Sequence, residues 1–520
     1  MDHRHGEPLP LWLATAELPA VPRLETDATA EVCIVGAGIA GMSVAYELAR
    51  KGHSVVVIDR ARPGEGMTGR TTAHFSNAFD NRYFHVERTH GVGTTRLVAE
   101  SHTAAIERVA HIARDEAIAC DLERLDGWLF TPDRDPEMLR EELEAALRAG
   151  LTGIELLPRA PLDRDTGPAL RFPDQLQLHP LSYLRGLVRA VLHLGGRIHG
   201  DTQAVSIEGG KDARVHTAFG PTIHARWIVV ATNTPFNNRT VMHTKQAAYQ
   251  TYVLAADVPR GSVQRALYWD TLERYHYARL HTVGSGTIAR ELLIVGGEDH
   301  KTGQEHHAEQ RWASLERWMR ALFPQAGAIE YRWSGEVMEP VDALAYIGRN
   351  PMDHDNVLVV TGDSGNGMTH GVIAGMLLTD LIEGRWNAWS EIYDPSRKTL
   401  RTLGVFAREN LNVAREYGEW LKPGEVRGPE DVPPGEGALV RRGLKMHAVF
   451  VDTDGHAHEM SAVCPHLGCV VQWNGAEKTW DCPCHGSRFT AEGRALHGPA
   501  NRDLARVEQR VRDVASAGDA

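Results

Sequence analysis

Six cysteines in 520 residues are too few for a disulfide scaffold, and no run of 18 apolar residues occurs. Neither a stapled small fold nor a hydrophobic helical span therefore organises the chain. Basic residues are also in deficit. The 56 Lys plus Arg stand against 68 Asp plus Glu, a net charge of -12, which argues against a nucleic-acid partner and leaves no polybasic strip for an anionic membrane. The opening "MDHRHGEPLPLWLATAELP" has no twin-arginine pair and no apolar stretch of secretory length, so the expected location is cytoplasmic. In that reducing compartment, four cysteines clustered within 21 residues point to a metal site. The rest is an ordinary globular composition, long enough for two or three domains with sizeable cores.

Residues 31–60 read "EVCIVGAGIAGMSVAYELARKGHSVVVIDR". "EVCIV" and "HSVVVID" suit buried parallel strands, and "IAGMSVAYELARKG" has helical periodicity with Gly52 as a C-cap. Gly36 makes the tight turn, Gly38 admits a pyrophosphate to the backbone, and Gly41 lets helix and strand pack closely. The pyrophosphate belongs on the helix N-terminus, at Ile39 and Ala40. Asp59, 23 residues past Gly36, is placed for a ribose hydroxyl, with Arg60 beside it. A GxGxxG alone is weak; strand, loop, helix, strand and acid together mark a dinucleotide site. Cys33, inside the first strand, reads as a small buried hydrophobe.

Further segments select the dinucleotide. "ARWIVVATNTP" (225–235) is an apolar strand ending in Ala231, Thr232 and Asn233; "NVLVVTGDSGNGMTHGVIAGMLLTDLI" (356–382) is a strand, a Gly-rich turn and a helix. With "MTGRTTAHFSN", "LHPLSYLRGL" and "WSGEVMEPVDALAYIG", they make residues 30–385 resemble the FAD-dependent oxidoreductases of the D-amino-acid oxidase type, which include glycine, sarcosine and gamma-glutamylputrescine oxidases. The resemblance implies an α/β, Rossmann-like FAD domain of the glutathione-reductase type with an inserted antiparallel substrate sheet, drawn mainly from 80–180 and 240–340. It implies a loop of Thr68, Gly69, Arg70, Thr71, Thr72 and Ala73 under the flavin and pyrophosphate, and a backbone clasp on the adenine at Val205. Gly348 and the turn of Gly362, Asp363, Gly365, Asn366, Gly367, Met368 and Thr369 would complete the flavin site, the last helix stabilising the reduced ring by its N-terminus. Some relatives bind FAD covalently through a histidine in this loop; His74 reads more simply as an ordinary loop histidine. No second GxGxxG follows a strand, so electrons are expected from an organic substrate rather than NAD(P)H. Tyr249, Tyr252, Tyr277 and Arg279, on alternating strand patterns, are the candidate wall over the flavin. Arg279 could clamp a substrate carboxylate by a bidentate pair or be a surface arginine with a carboxylate neighbour.

Composition changes after about residue 386. "PSRKTLRTLGVFARENLNVAREYGEWL" has helical character, and "KPGEVRGPEDVPPGEG" (422–437) is a Pro- and Gly-rich linker followed by short strands. The expected division is an N-terminal extension 1–29, the flavin region 30–385, a connector 386–435, a small all-β domain 436–512 and a tail 513–520. Within the all-β domain, Cys464-x-His466 and Cys482-x-x-His485 are separated by fifteen residues. Cys2His2 would suit zinc in principle, but a zinc finger keeps its cysteines in one pair and its histidines in another; here each loop gives one of each. The stretch resembles the Rieske box, which implies a [2Fe-2S] cluster with Cys464 and Cys482 on one iron and His466 and His485 on the other. The same resemblance implies a Cys469–Cys484 disulfide and a serine, Ser487, bonded to cluster sulfide. Phe489 stands where high-potential relatives carry a second donor, a tyrosine, so a middling potential is expected within about -150 to +300 mV.

The expected activity is oxidation of an amine or amino acid at its C–N bond, with hydride passing to FAD and electrons to the cluster, then to an external one-electron carrier. Two alternatives stand: cluster-to-flavin delivery for a flavin monooxygenase, and an electron-transfer or redox-sensing module. Nothing resembles the 2-His-1-carboxylate domain of Rieske oxygenases.

Overall fold

The computed structural model describes residues 9–237, 242–304 and 308–507. The first eight residues, the last five of the expected cluster domain and the tail 513–520 lie outside them. Strands Ala28–Val35, Val55–Ile58 and Thr222–Val230 are the centre of a sheet, running parallel with Arg197–His199 on one side and Val357–Thr361 on the other; Tyr346–Arg349 closes it antiparallel. Val32–Val35 and Val55–Ile58 are buried on both faces, which is why they read as unbroken apolar runs. Helix Ile39–Ala49 is almost wholly buried because helices Pro180–His193 and Gly367–Ile382 pack against it. The last of these approaches closely at Gly371 and Gly375, where a Cβ would sit about 3.0 Å from Ile39 and Ser43 atoms.

A second sheet is ordered Ile329–Pro340, Gln246–Val258, Arg290–Lys301, His276–Val283, Leu267–Asp270, Glu123–Phe130, Ala169–Gln177, His74–Phe75. Both faces of its long strand Gln246–Val258 are covered. Thr251 faces the loop after residue 67, since it packs beside Gly335 and Arg70. Gln250 and Tyr252, on the opposite face, meet Glu477 and helix Ala308–Leu322.

The C-terminal domain has a three-stranded sheet (Gly437–Arg442, Lys445–Val451, Ala457–Ser461) and a four-stranded one (Gln472–Asn474, Thr479–Asp481, Arg488–Thr490, Ala495–His497). The Pro/Gly stretch is no free tether. Glu425 N–H donates to Leu439 O (2.8 Å), the Glu425 carboxylate accepts from Leu439 N–H (2.8 Å), and Val426 bridges to Val440, satisfying an otherwise unpaired edge. The domain is seated on the flavin region: Gln304 Nε2 reaches Pro483 O (3.2 Å), Gln203 Nε2 reaches Asn501 O (2.8 Å), and Gly303 packs on Pro483. No helix among the described residues is long and apolar enough to cross a membrane.

Candidate active site and metal centre

The dinucleotide loop is built as close packing demands. Gly36 has φ +110°, and a Cβ there would lie 2.3 Å from Ala231 O; on Gly41 it would lie 1.8 Å from Gly36 O. Asp59 braces the loop, its Oδ2 accepting from Ala37 N–H (2.7 Å) and its Oδ1 from Ala61 N–H (3.0 Å); each oxygen keeps a lone pair for a ribose hydroxyl. Thr68 Oγ1 accepts from Ile39 N–H (2.9 Å) at the helix N-terminus. Among the described residues, buried Arg60 Nη1, Asn233 Nδ2, Asp363 Oδ1 and Thr369 Oγ1 have no hydrogen-bond partner. Such groups are costly to bury unless a ligand meets them, so the cradle fits a polar cofactor.

The following loop is held carbonyl by carbonyl. Trp333 Nε1 donates to Arg70 O (2.7 Å) and Trp12 Nε1 to Thr71 O (2.6 Å), while Arg279 Nη1 donates to Thr72 O (2.9 Å), Ala73 O (3.0 Å) and Leu178 O (3.1 Å). Ala73 takes φ +58° within this grip. His74 follows on the edge strand. Its Nδ1 accepts from Trp269 Nε1 (3.2 Å), its ring is edge-on to Tyr277 at 5.8 Å, and burial with Arg279 nearby pushes its pKa down to about 3. His74 is thus neutral, with Nε2 buried and unpartnered.

At the cluster loops, the Cys464 and Cys482 thiols are buried and in hydrogen-bond contact. Backbone N–H groups of His466 and Leu467 point at Cys464 sulfur, those of Cys484 and His485 at Cys482 sulfur, and the Ser487 hydroxyl also bonds Cys464. Such donors stabilise thiolates held on a metal. The His466 and His485 rings lie edge-on at 5.0 Å, and His485 Nδ1 is buried without a partner. Cys469 and Cys484 form a disulfide, Cα atoms 6.4 Å apart, joining the two loops. The donor set fits a [2Fe-2S] cluster held by two sulfurs and two imidazoles.

Residues 31–381 match the model of the DAO family, FAD dependent oxidoreductase, and residues 422–508 that of the Rieske [2Fe-2S] domain. The chain belongs to the FAD dependent oxidoreductase family. It adds a C-terminal Rieske domain, as an enzyme with FAD and a [2Fe-2S] cluster. YhfW of Bacillus subtilis (strain 168), whose name describes a Rieske 2Fe-2S iron-sulfur protein, is 32% identical over 504 residues, covering 96% of this chain and 97% of that one. Gamma-glutamylputrescine oxidoreductase of Escherichia coli (strain K12) is 27% identical over 402 residues, 73% of this chain and 91% of that one. Glycine oxidase from Geobacillus kaustophilus shares the fold, with a TM-score of 0.59 at 17% identity over 71% of this chain and 99% of that one.

Within this oxidoreductase framework, two candidates take other places. Tyr252 is on the far face of the substrate sheet, its hydroxyl 2.8 Å from His300 Nε2 and its ring edge-on to Trp312; strand alternation puts it there once Thr251 faces the flavin loop. Arg279 is 1% exposed and engaged by three backbone carbonyls, so it braces the loop and does not reach for a carboxylate. Gly348 borders Pro395, 2.9 Å from where its Cβ would be. Tyr277 shares the face of Thr251, its ring folded over Gly296 and its hydroxyl 3.0 Å from Thr251 Oγ1. Tyr249 shares that face by strand parity. Val205 O accepts from Asn501 Nδ2 (2.9 Å), so the Rieske domain reaches the expected adenine clasp. There Val205, Phe236, Pro465, His466 and Asn501 line a cavity of about 170 Å³. Trp12 and His243 escaped notice in the sequence because neither belongs to a motif. His243 is edge-on to His466 (4.6 Å) and to His485 (5.5 Å).

Proposed function

We propose that the protein dehydrogenates an amine or amino compound at its C–N bond and passes the electrons through the Rieske domain to a one-electron carrier. The observation that carries this reading is the seat of the cluster loops. Both histidines expected on the cluster meet His243. Three residues on, Gln246 Oε1 is 3.1 Å from Thr361 Oγ1 and 3.2 Å from where a Gly362 Cβ would be, in the turn assigned to the flavin. Both expected centres thus border one short segment, 243–246, which leads into strand Gln246–Val258.

Bound FAD supplies acceptance of a hydride from the carbon beside nitrogen, and the cluster supplies single-electron transfer. The substrate loses that hydride and an N–H proton, and water hydrolyses the imine to a carbonyl and ammonia or an amine. The two electrons leave singly to the carrier. The chain's part is placement: Trp12, Trp333 and Arg279 fix the loop, Tyr277 and neutral His74 would form an uncharged wall, and the backbone N–H groups of Gly362–Thr369 would help to hold the bound flavin.

The test is anaerobic mixing with an amine and amino-acid panel, following flavin absorbance and then the low-temperature EPR signal of the cluster. The reading expects bleaching first and the EPR signal after it. Flavin reduction by an outside one-electron donor through the cluster, with no panel member bleaching it, would overturn it.

A further inference from the structure

The chamber beside the flavin turn is acidic. Gly365 lies so close to Asp80 that a Cβ would fall 2.6 Å from its Oδ2 and 3.6 Å from the Tyr275 hydroxyl, which hydrogen-bonds Asp80. Glu339 Oε2 accepts from Ser364 Oγ (2.8 Å) in the same turn. Asp299 bonds Thr251, whose hydroxyl meets Tyr277, and its Oδ1 is buried with no partner. Tyr275 and Tyr277 stand 5.7 Å apart. Of the nearby cationic side chains, Arg82 donates to Asp80 O and Asp270 O and offsets Asp80 alone, Lys301 pairs with Glu409, and Arg279 is held by the loop after residue 67.

We infer that this chamber takes a dicationic amine, a diamine or polyamine without a carboxylate, whose distal ammonium is held by Asp80, Asp299 and Glu339 against the Tyr275 and Tyr277 rings. Carboxylates are buried at this density only when neutral or met by a cation, and tyrosine faces add attraction for an ammonium. Burial, with mutual repulsion, raises Asp299 to about 7 and Glu339 to about 8. An arriving ammonium reverses that balance and draws the protons off. A substrate carboxylate would find like charge and no free arginine. The inference rests on the proposed C–N oxidation for the fate of the second nitrogen, which must reach the flavin uncharged.

The test is equilibrium dialysis of 1,4-diaminobutane, n-butylamine and 4-aminobutanoate against the full chain carrying FAD and cluster, reduced beforehand with dithionite so that no turnover follows. The diamine should bind at least tenfold tighter than the monoamine, and 4-aminobutanoate weakest. Asp299→Asn and Glu339→Gln should each cost the diamine tenfold or more, with FAD content and the cluster EPR spectrum unchanged. Equal affinity for diamine and monoamine, tightest binding of 4-aminobutanoate, or unchanged diamine affinity in both amide variants would overturn the inference. Diamine binding without flavin bleaching by any diamine keeps the cation site and removes the oxidation reading. Bleaching by amino acids without diamine preference does the reverse.

Discussion

Glu477 is the hinge-pin of the seated Rieske domain. Its carboxylate pairs with Arg488 of its own domain, accepts from Gln250 Nε2 of the flavin region (2.8 Å) and bonds Ser334, with Arg70 close enough to influence it. Burial alone would raise this carboxyl, yet Arg488 and Arg70 hold it below its ordinary value. Glu477→Gln keeps the shape and an acceptor but removes the charge. Arg488 retains Asp481 at 2.8 Å, so the group left uncompensated is buried Arg70. Breaking one side of a buried pair costs about 3–5 kcal/mol, and because Arg488 stays paired the lower end applies. Roughly 3 kcal/mol is about a hundredfold in the ratio of seated to unseated domain. Hydrogen exchange at 246–252 should accelerate by that factor where opening is a rapid pre-equilibrium. Cluster reduction after anaerobic flavin reduction should slow, while flavin reduction itself keeps its rate. A carboxyl lowered in the native state stabilises above its unfolded pKa and loses that contribution as pH falls through the native one. The native protein should therefore approach the variant's exchange rates only below the ordinary glutamate range. Native-like exchange and electron-transfer rates in Glu477→Gln at neutral pH would refute the reasoning.

The purified protein should hold one FAD, two irons and two labile sulfides per chain, and Cys464→Ser should lose iron while keeping flavin; zinc in place of iron on elemental analysis would contradict the donor set. Phe489, buried beside Cys464 and Cys482, gains a donor as Phe489→Tyr, which should raise the cluster potential in a redox titration by a few tens of millivolts, where ~30 mV is about 0.7 kcal/mol for one electron. Ser487→Ala should lower it, since the hydroxyl that bonds Cys464 is lost. Arg279→Met removes the donor to three carbonyls, so FAD should dissociate faster by fluorescence and thermal stability should fall by a few kcal/mol; unchanged FAD retention would show that the loop holds itself.

The sequence by itself determined whatever depends on a few adjacent residues. The 36–41 loop is legible because its geometry excludes a Cβ at Gly36 and Gly41, and the cluster donors because each loop carries its cysteine and histidine two or three residues apart. Tertiary structure decided which way side chains face and which distant ones meet. Strand Gln246–Val258 is covered on both faces, so hydrophobic alternation carries no parity; Tyr249 and Tyr252 look equivalent until pairing separates them. Arg279 reads in the sequence as a carboxylate clamp or a surface arginine, and only the folded chain turns it inward onto the carbonyls of Thr72, Ala73 and Leu178. Asp80, Asp299 and Glu339 are more than two hundred residues apart at their extremes, and sheet register with one Gly-rich turn gathers them. Trp12 acts through a hydrogen bond to the carbonyl of Thr71 and His243 through ring contacts with His466 and His485, long-range meetings that no local sequence pattern announces.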